Sequence, residues 1–186
     1  MKRLFDSIVS ILLIAIFFIP MCILAVLIKL NSRGPVLHWS DRVGRDNIIF
    51  KMPKFRSMYL NTDPIASHLM ENPDKYITSI GKFIRRTSLD ELPQLYSVLR
   101  GEMSFVGPRP ALFNQYDLIN LRSKKGVHKL TPGITGLAQV NGRDEISISH
   151  KVKLDEDYMN KQSFWFDVKI MCKTFYKVFN RAGISH

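Results

Sequence analysis

SIVSILLIAIFFIPMCILAVLI, Ser7 to Ile28, runs for 22 residues without a charge, and its reading decides how the rest of this 186-residue chain is arranged. As a helix it extends about 33 Å, enough to cross a hydrocarbon core of roughly 30 Å. It is too long for a cleavable leader and lacks a small-residue cleavage site, although Met1-Lys2-Arg3 gives it a basic start. Its flanks conflict with a simple span. Lys2 and Arg3 precede it, and Lys29, Arg33, Arg42 and Arg45 follow it, so both ends carry the charge that marks the cytoplasmic side. Pro20 lies inside the run, where it removes one backbone donor and crowds the preceding turn. A helix that enters the bilayer, bends at Ile19-Pro20 and returns to the same face satisfies both flanks, and this re-entrant reading is preferred to a straight span.

The remainder has the composition of one folded unit: 46% hydrophobic and 11% aromatic residues over the whole chain, with no repeat, low-complexity segment or Pro/Gly/Ser linker. The expected division is an anchor over 1–30 and a single domain over 31–186. A formal charge of +11 favours polyanionic partners: acidic lipid headgroups, phosphorylated substrates or nucleic acid. Cys22 and Cys172 are too few for a disulfide framework or a cysteine metal site and read as buried thiols of a reducing compartment. The five histidines have no metal-ligand spacing, and there is no Walker-type phosphate loop or dinucleotide fingerprint.

Local signals predict a mixed α/β unit. Val36–Trp39 and Ile48–Lys51 flank the turn-forming Val43-Gly44-Arg45-Asp46-Asn47 and read as a small hairpin. Residues 64–72 and 80–86 read as helical pieces with a turn at Asn72-Pro73-Asp74. Leu89, Leu92, Leu95, Val98 and Leu99 have three-and-four spacing, which predicts a helix over 88–99 capped by Thr87 or Ser88 and ended by Gly101. Near the C-terminus, SFWFDVKIMCKTFYKVFNR places Lys169, Lys173 and Lys177 on one helical face. It reads either as a basic amphipathic helix in the headgroup region or as a core helix with a solvated lysine stripe.

In the predicted 88–99 helix, TSLDELPQL sets Asp90 and Glu91 in the first turns. Two acids there can simply complement the helix dipole. Adjacent helical side chains diverge by about 100°, so the pair can also divide labour, one carboxylate attacking phosphorus and the other holding Mg²⁺. Basic stretches favour the second option. GEMSFVGPRPAL confines Arg109 between two prolines, a setting for bidentate phosphate contact. KMPKFRSM adds Lys54 and Arg56, IRRTSLDE adds Arg85 and Arg86, and TPGITGLAQVNGRDE adds Gln139 and Arg143 in a glycine-rich polar stretch.

These motifs, with KRLFD before the apolar run and Leu154-Asp155 and Tyr158 after PGITGLAQVNGR, closely resemble the small monotopic phosphoglycosyl transferases of bacteria over nearly the whole chain. The resemblance implies a mixed α/β, helix-rich monotopic membrane protein on the cytoplasmic face of the bacterial inner membrane, with a re-entrant helix and interfacial amphipathic helices. It implies that Asp90 attacks the sugar-bearing phosphate of a UDP-sugar, releasing UMP, and that undecaprenyl phosphate then takes the phosphosugar. Glu91 would help bind Mg²⁺ and Arg109 would bind phosphate. Lys54, Arg56 and Arg85 would assist, and Gln139, Arg143 and Asp155 would lie on the substrate side. An N-acetylated hexose, 6-deoxy or not, and a homodimer on the membrane are further expectations of the resemblance. One departure is that the family often carries Ser-Pro at the break of its membrane helix, where this chain has Ile19-Pro20.

Two other readings compete. A membrane-anchored polyanion-binding protein without enzymatic activity would use Asp90 and Glu91 only as helix-start acids. A soluble nucleic-acid binder would use the positive charge but leaves the 22-residue apolar run unexplained, and nucleic acid is therefore not expected as a partner.

Overall fold

The computed structural model describes residues 1–60, 75–142 and 146–179. The helical piece read over 64–72, the turn at Asn72-Pro73-Asp74 and Arg143 lie outside the described residues.

The apolar run is part of one helix, α1 (Lys2–Asn31), which continues through Pro20. Among the described residues it is the one helix long and apolar enough to cross a membrane. Its outward arc is apolar, with Leu4, Ile8, Leu12, Ile16, Ile19, Ile23 and Leu30 all exposed. Both of its ends are packed on the same globular body. At the start, Lys2 Nζ donates to Val106 O at 3.0 Å and forms an ion pair with Asp167, while the Arg3 guanidinium donates to the carbonyls of Val98 and Leu99. Asp6 and Ser10 are buried, and Val9, Leu13 and Ile14 pack on the main core. Toward the other end, Leu24 and Ile28 are buried with Phe55 and Ile84. The middle, around Ile16 to Pro20, stands clear.

The hairpin predicted around Gly44 is present and longer than its apolar runs: β1 (Leu37–Val43) pairs antiparallel with β2 (Ile49–Phe55), Leu37 opposite Phe55 and Val43 opposite Ile49. The turn holds Asp46 and Asn47 at φ 54° and 60°, a left-handed pair suited to these residue types. Period-two alternation sends Phe50 and Met52 into the core and puts Lys54 on the same face, opposite His38. A two-residue strand, β4 (Ala111–Leu112), adds to the free edge of β1.

Next come α2 (Ser79–Arg86), capped by Thr78 Oγ1 accepting from Gly81 N at 3.0 Å, and the acidic motif. The single helix expected over 88–99 is instead a 3₁₀ segment, Leu89–Gln94, followed by α3 (Leu95–Arg100). Pro93 is the physical reason, since it has no N–H to give to the carbonyl four residues back. Neither expected cap forms: Thr87 Oγ1 donates back to Phe83 O at 2.9 Å, and Ser88 makes no side-chain cap bond. Gly101 ends α3 as expected, at φ 85°.

After α3 the chain forms β3 (Ser104–Val106), then Gly107-Pro108-Arg109-Pro110, then β4, α4 (Tyr116–Lys124), β5 (Gly133–Thr135), α5 (Ile148–Lys161) and α6 (Phe164–Phe179). β3 and β5 pair in parallel, Ser104 opposite Gly133. The approach is too close for side chains: a Cβ on Gly133 would lie 2.1 Å from Gly107 N. Between them Gly107 N donates to Thr135 O and Gly133 N to Pro108 O, both at 2.9 Å.

The main core gathers Phe50, Met52, Leu95, Val98, Met103 and Tyr158 between the hairpin, α3 and α5. α6 has one face in the core and one outside it: Asp167 and Ile170 are buried, whereas Trp165, Phe175 and Tyr176 stand outward with Lys169 and Lys173. The expectation of buried thiols is corrected, because Cys22 and Cys172 are both exposed. Cys22 lies on the outward arc of α1 and Cys172 on that of α6, where apolar neighbours in sequence do not mean burial in the protein.

Candidate active site

The chain leaves α2 at Thr87 and reverses through Ser88, a non-glycine residue at φ 56°. A left-handed residue here costs on the order of 1 kcal/mol, and it directs the next segment under β2. Leu89 and Leu92 pack on the cluster around Phe55 and Ile84, and Leu95 enters the main core. These leucines set where the acids between them point. Asp90 is 9% exposed, and the 3₁₀ winding turns Glu91 about 120° from it.

Three of the four expected basic residues surround the acids, each in a different way. Lys54, on β2 between the buried Pro53 and Phe55, donates from Nζ to Glu91 Oε1 at 3.0 Å. Arg109 Nη2 donates to the same oxygen at 3.2 Å. Arg85, in the last turn of α2, lies within electrostatic reach of both Asp90 and Glu91. Arg56 is elsewhere: its buried guanidinium donates to Ser32 O and Ser32 Oγ at 2.8 Å and to Arg33 O at 2.5 Å, tying β2 to the chain as it leaves α1. The structure thus brings together Lys54, Arg85, Asp90, Glu91 and Arg109, and places Arg56 at the anchor.

The other two expected residues within the described segments lie behind or beside this cluster. Asp155, on α5, is 2% exposed and receives Arg122 Nε and Nη2 on one oxygen at 2.9 and 2.7 Å. Burial pushes its carboxyl up, and Arg122 opposes that. Gln139 follows the glycine-rich turn packed on Gly107, and its Nε2 and Oε1 are buried without a partner among the described residues.

Charge governs the cluster. Burial pushes the Asp90 carboxyl up to about 6, Lys54 pulling it back most strongly, Glu91 adding to the rise, and Arg85 and Arg109 opposing it. Burial likewise lowers the Lys54 ammonium, with Glu91 holding it charged. Asp90 is therefore a desolvated carboxylate at neutral pH, facing cations without sharing the bonds that Glu91 makes with Lys54 and Arg109. Such a group can attack an electrophile whose own negative charge the surrounding cations neutralise.

Sequence reasoning missed three residues of this region. His38 lies opposite Lys54 on the hairpin, and burial together with Lys54 and Arg42 lowers its pKa. Arg42 donates to Pro110 O at 3.2 Å, and Arg122 donates to Arg109 O at 2.8 Å. Strand alternation is the only sequence signal for the first two. Arg122 has none, since a lone arginine in YDLINLRSK reads as solvated.

The chain is similar to known proteins over most of its length. The chain is 43% identical over 184 residues to the undecaprenyl-phosphate glucose phosphotransferase of Komagataeibacter xylinus, a match covering 93% of this chain and 35% of that protein. It is 40% identical over 193 residues to the UDP-glucose:undecaprenyl-phosphate glucose-1-phosphate transferase of Escherichia coli K12, covering 98% of this chain and 41% of that one. The chain therefore spans less than half the length of these two relatives. Against the uncharacterized sugar transferase EpsL of Bacillus subtilis 168 it is 38% identical over 186 residues, covering all of this chain and 90% of the relative. The family model described as bacterial sugar transferase matches residues 1–181, and the chain belongs to that family.

Proposed function

We propose that this protein transfers a sugar 1-phosphate from a UDP-sugar to undecaprenyl phosphate through a phosphosugar ester on Asp90. The observation that carries the reading is the buried Asp90 carboxyl beside Lys54, Arg85 and Arg109. In the first half-reaction an Asp90 oxygen bonds to the β-phosphorus, the bond from that phosphorus to the bridging oxygen breaks, and UMP leaves with the bridging oxygen and its electron pair. In the second, a phosphate oxygen of undecaprenyl phosphate attacks the same phosphorus and the Asp90 oxygen departs as carboxylate. Both substrates are anions meeting an anion, and the cations around the site offset the repulsion.

Glu91 would help hold Mg²⁺, leaving Asp90 to attack. Mg²⁺ takes one or two carboxylates, a donor type that Glu91 can supply, and completes its shell with substrate phosphate and water. Bound there, Mg²⁺ supplies positive charge to the phosphate oxygens. Lys54 and Arg109 meanwhile orient Glu91 through its Oε1.

The reading also takes 1–30 as an anchor that does not cross the bilayer, with 31–186 forming the catalytic unit on the cytoplasmic face. Its support is that Lys2, Arg3 and Asp6 at one end of α1, and Leu24 and Ile28 toward the other, all touch one body, whereas a straight span puts its ends on opposite faces. In spheroplasts, an N-terminal tag and the single thiol of N31C in a C22S/C172S background should both be shielded from membrane-impermeant reagents until lysis. Labelling of either from outside would contradict a monotopic arrangement.

The activity itself is tested with purified protein, Mg²⁺, undecaprenyl phosphate and UDP-glucose or N-acetylated UDP-hexoses, measuring UMP. At least one donor is expected to yield UMP, and silence with all of them would refute the transferase reading. The rate should rise with pH through about 6 and then level off, because a protonated Asp90 carboxyl is no nucleophile. An acid limb near the ordinary carboxylate range would show that burial does not govern the reacting group.

A further inference from the structure

We propose that Arg122, held by Asp155, and Arg42 are positioning residues that grip the Pro108-Arg109-Pro110 segment by its carbonyl oxygens and so aim the Arg109 guanidinium into the site. The inference rests on the transferase reading and assigns how one of its phosphate ligands is oriented. Two prolines in three residues leave this segment a single backbone N–H, so little of it can be held by ordinary ladder bonds. All three of its carbonyls nevertheless have donors, each from a different element. Pro108 O accepts from Gly133 N of β5 at 2.9 Å, Arg109 O from Arg122 Nη1 of α4 at 2.8 Å, and Pro110 O from Arg42 Nη1 of β1 at 3.2 Å.

The Arg122 grip is braced from behind. Its Nε and Nη2 both donate to Asp155 Oδ2, leaving Nη1 as the arm that reaches Arg109 O. The pair is sealed, Arg122 being 7% and Asp155 2% exposed, so neither is placed to contact a substrate. Asp155 was expected on the substrate side; the geometry assigns it instead to the support of the arginine beside the substrate. Three residues on, along the same face of α5, the Tyr158 hydroxyl lies 3.1 Å from Val106 O at the entry to the segment. The Asp155 and Tyr158 spacing is thus that of two struts under one loop. A planar fork can brace and reach at once, whereas a lysine ammonium is a point donor on a flexible stem.

The test is a cycle on the full-length protein in detergent, reading UMP release and the thermal midpoint for wild type, R122K, R109K and R122K/R109K. R122K is expected to lower kcat by about 10- to 100-fold, with the KM for the UDP-sugar changed less than threefold. In the R109K background the same change is expected to cost less than threefold, because the group that the clamp aims has already lost its fork. Equal costs in the two backgrounds, or an unaffected R122K, would overturn the proposal. Should R122K fail to fold, the same cycle with R42K decides it by the same criterion. A wild-type protein that releases no UMP from any donor is a different result, and defeats the transferase reading rather than the clamp.

Discussion

Asp90→Asn is expected to abolish UMP release, by about 10⁴-fold or more, while making the protein more stable. The loss follows from removing the nucleophile: an amide of the same shape cannot form the phosphosugar ester, and losses of that order correspond to about 5.5 kcal/mol of barrier. The gain follows from burial. The folded protein holds the Asp90 carboxyl at about 6, above its usual 3.8, so folding favours the protonated form. The stabilising contribution of this group is present below about 3.8 and is lost as pH rises through about 6. At pH 8 wild type therefore carries a buried charge that Asp90→Asn lacks, worth roughly 2–3 kcal/mol at about 1.4 kcal/mol per pH unit. Thermal melts of both proteins at pH 8 and pH 4 check this: the variant should melt higher at pH 8, and the gap should close at pH 4. A dead variant with no gain at pH 8 would place Asp90 in a more solvated setting than the structure shows. A variant that retains activity would favour the anchored polyanion-binding alternative.

Gly133→Ala is expected to produce the largest structural effect. Its new Cβ would sit 2.1 Å from Gly107 N and 2.4 Å from Thr135 O, all of it backbone that cannot swing away as a side chain could. Relief requires separating β3 from β5 and breaking the Gly133 to Pro108 and Gly107 to Thr135 bonds. Overpacking combined with two lost buried hydrogen bonds is worth about 3–5 kcal/mol, enough to unfold much of a marginally stable protein. Gly126→Ala is the control: its φ is positive, at 75°, but nothing lies within 4 Å of its Cβ position, so strain of about 1 kcal/mol is all it should cost. Equal melting points for the two variants would mean that the Pro-Gly-Ile-Thr-Gly turn does not press on the Gly107 loop.

The parts of this molecule that were legible in sequence are those whose signal is local. A 22-residue uncharged run can hardly be anything but a long apolar helix, and a turn of Gly44 to Asn47 between apolar runs reads as a hairpin. The Asp90 and Glu91 pair stood out because acids are scarce in so basic a chain, and Lys54, Arg85 and Arg109 do meet them in space. Over 88–99 the leucine spacing points to one helix, yet the first half is a 3₁₀ segment because Pro93 lacks the N–H that an α-turn needs there. β3 and β5 are three residues each, too short for periodicity to register. Least legible was Arg122 with Asp155, 33 positions apart. Within Leu154-Asp155-Glu156-Asp157 only Asp155 shares the buried face of Val152 and Tyr158, and nothing local says that its partner is an arginine beneath the Pro-Arg-Pro loop.

The central claim is that Asp90 carries the phosphosugar between two separable half-reactions. The most direct measurement mixes the protein, Mg²⁺ and the active UDP-sugar labelled with ³²P at the β-phosphate, with no undecaprenyl phosphate present. The account predicts a burst of UMP limited to the amount of enzyme, with an equal amount of ³²P bound to protein, located on Asp90 and discharged when undecaprenyl phosphate is added. UMP release that occurs only when the lipid phosphate is present, with no label on the protein, would contradict it.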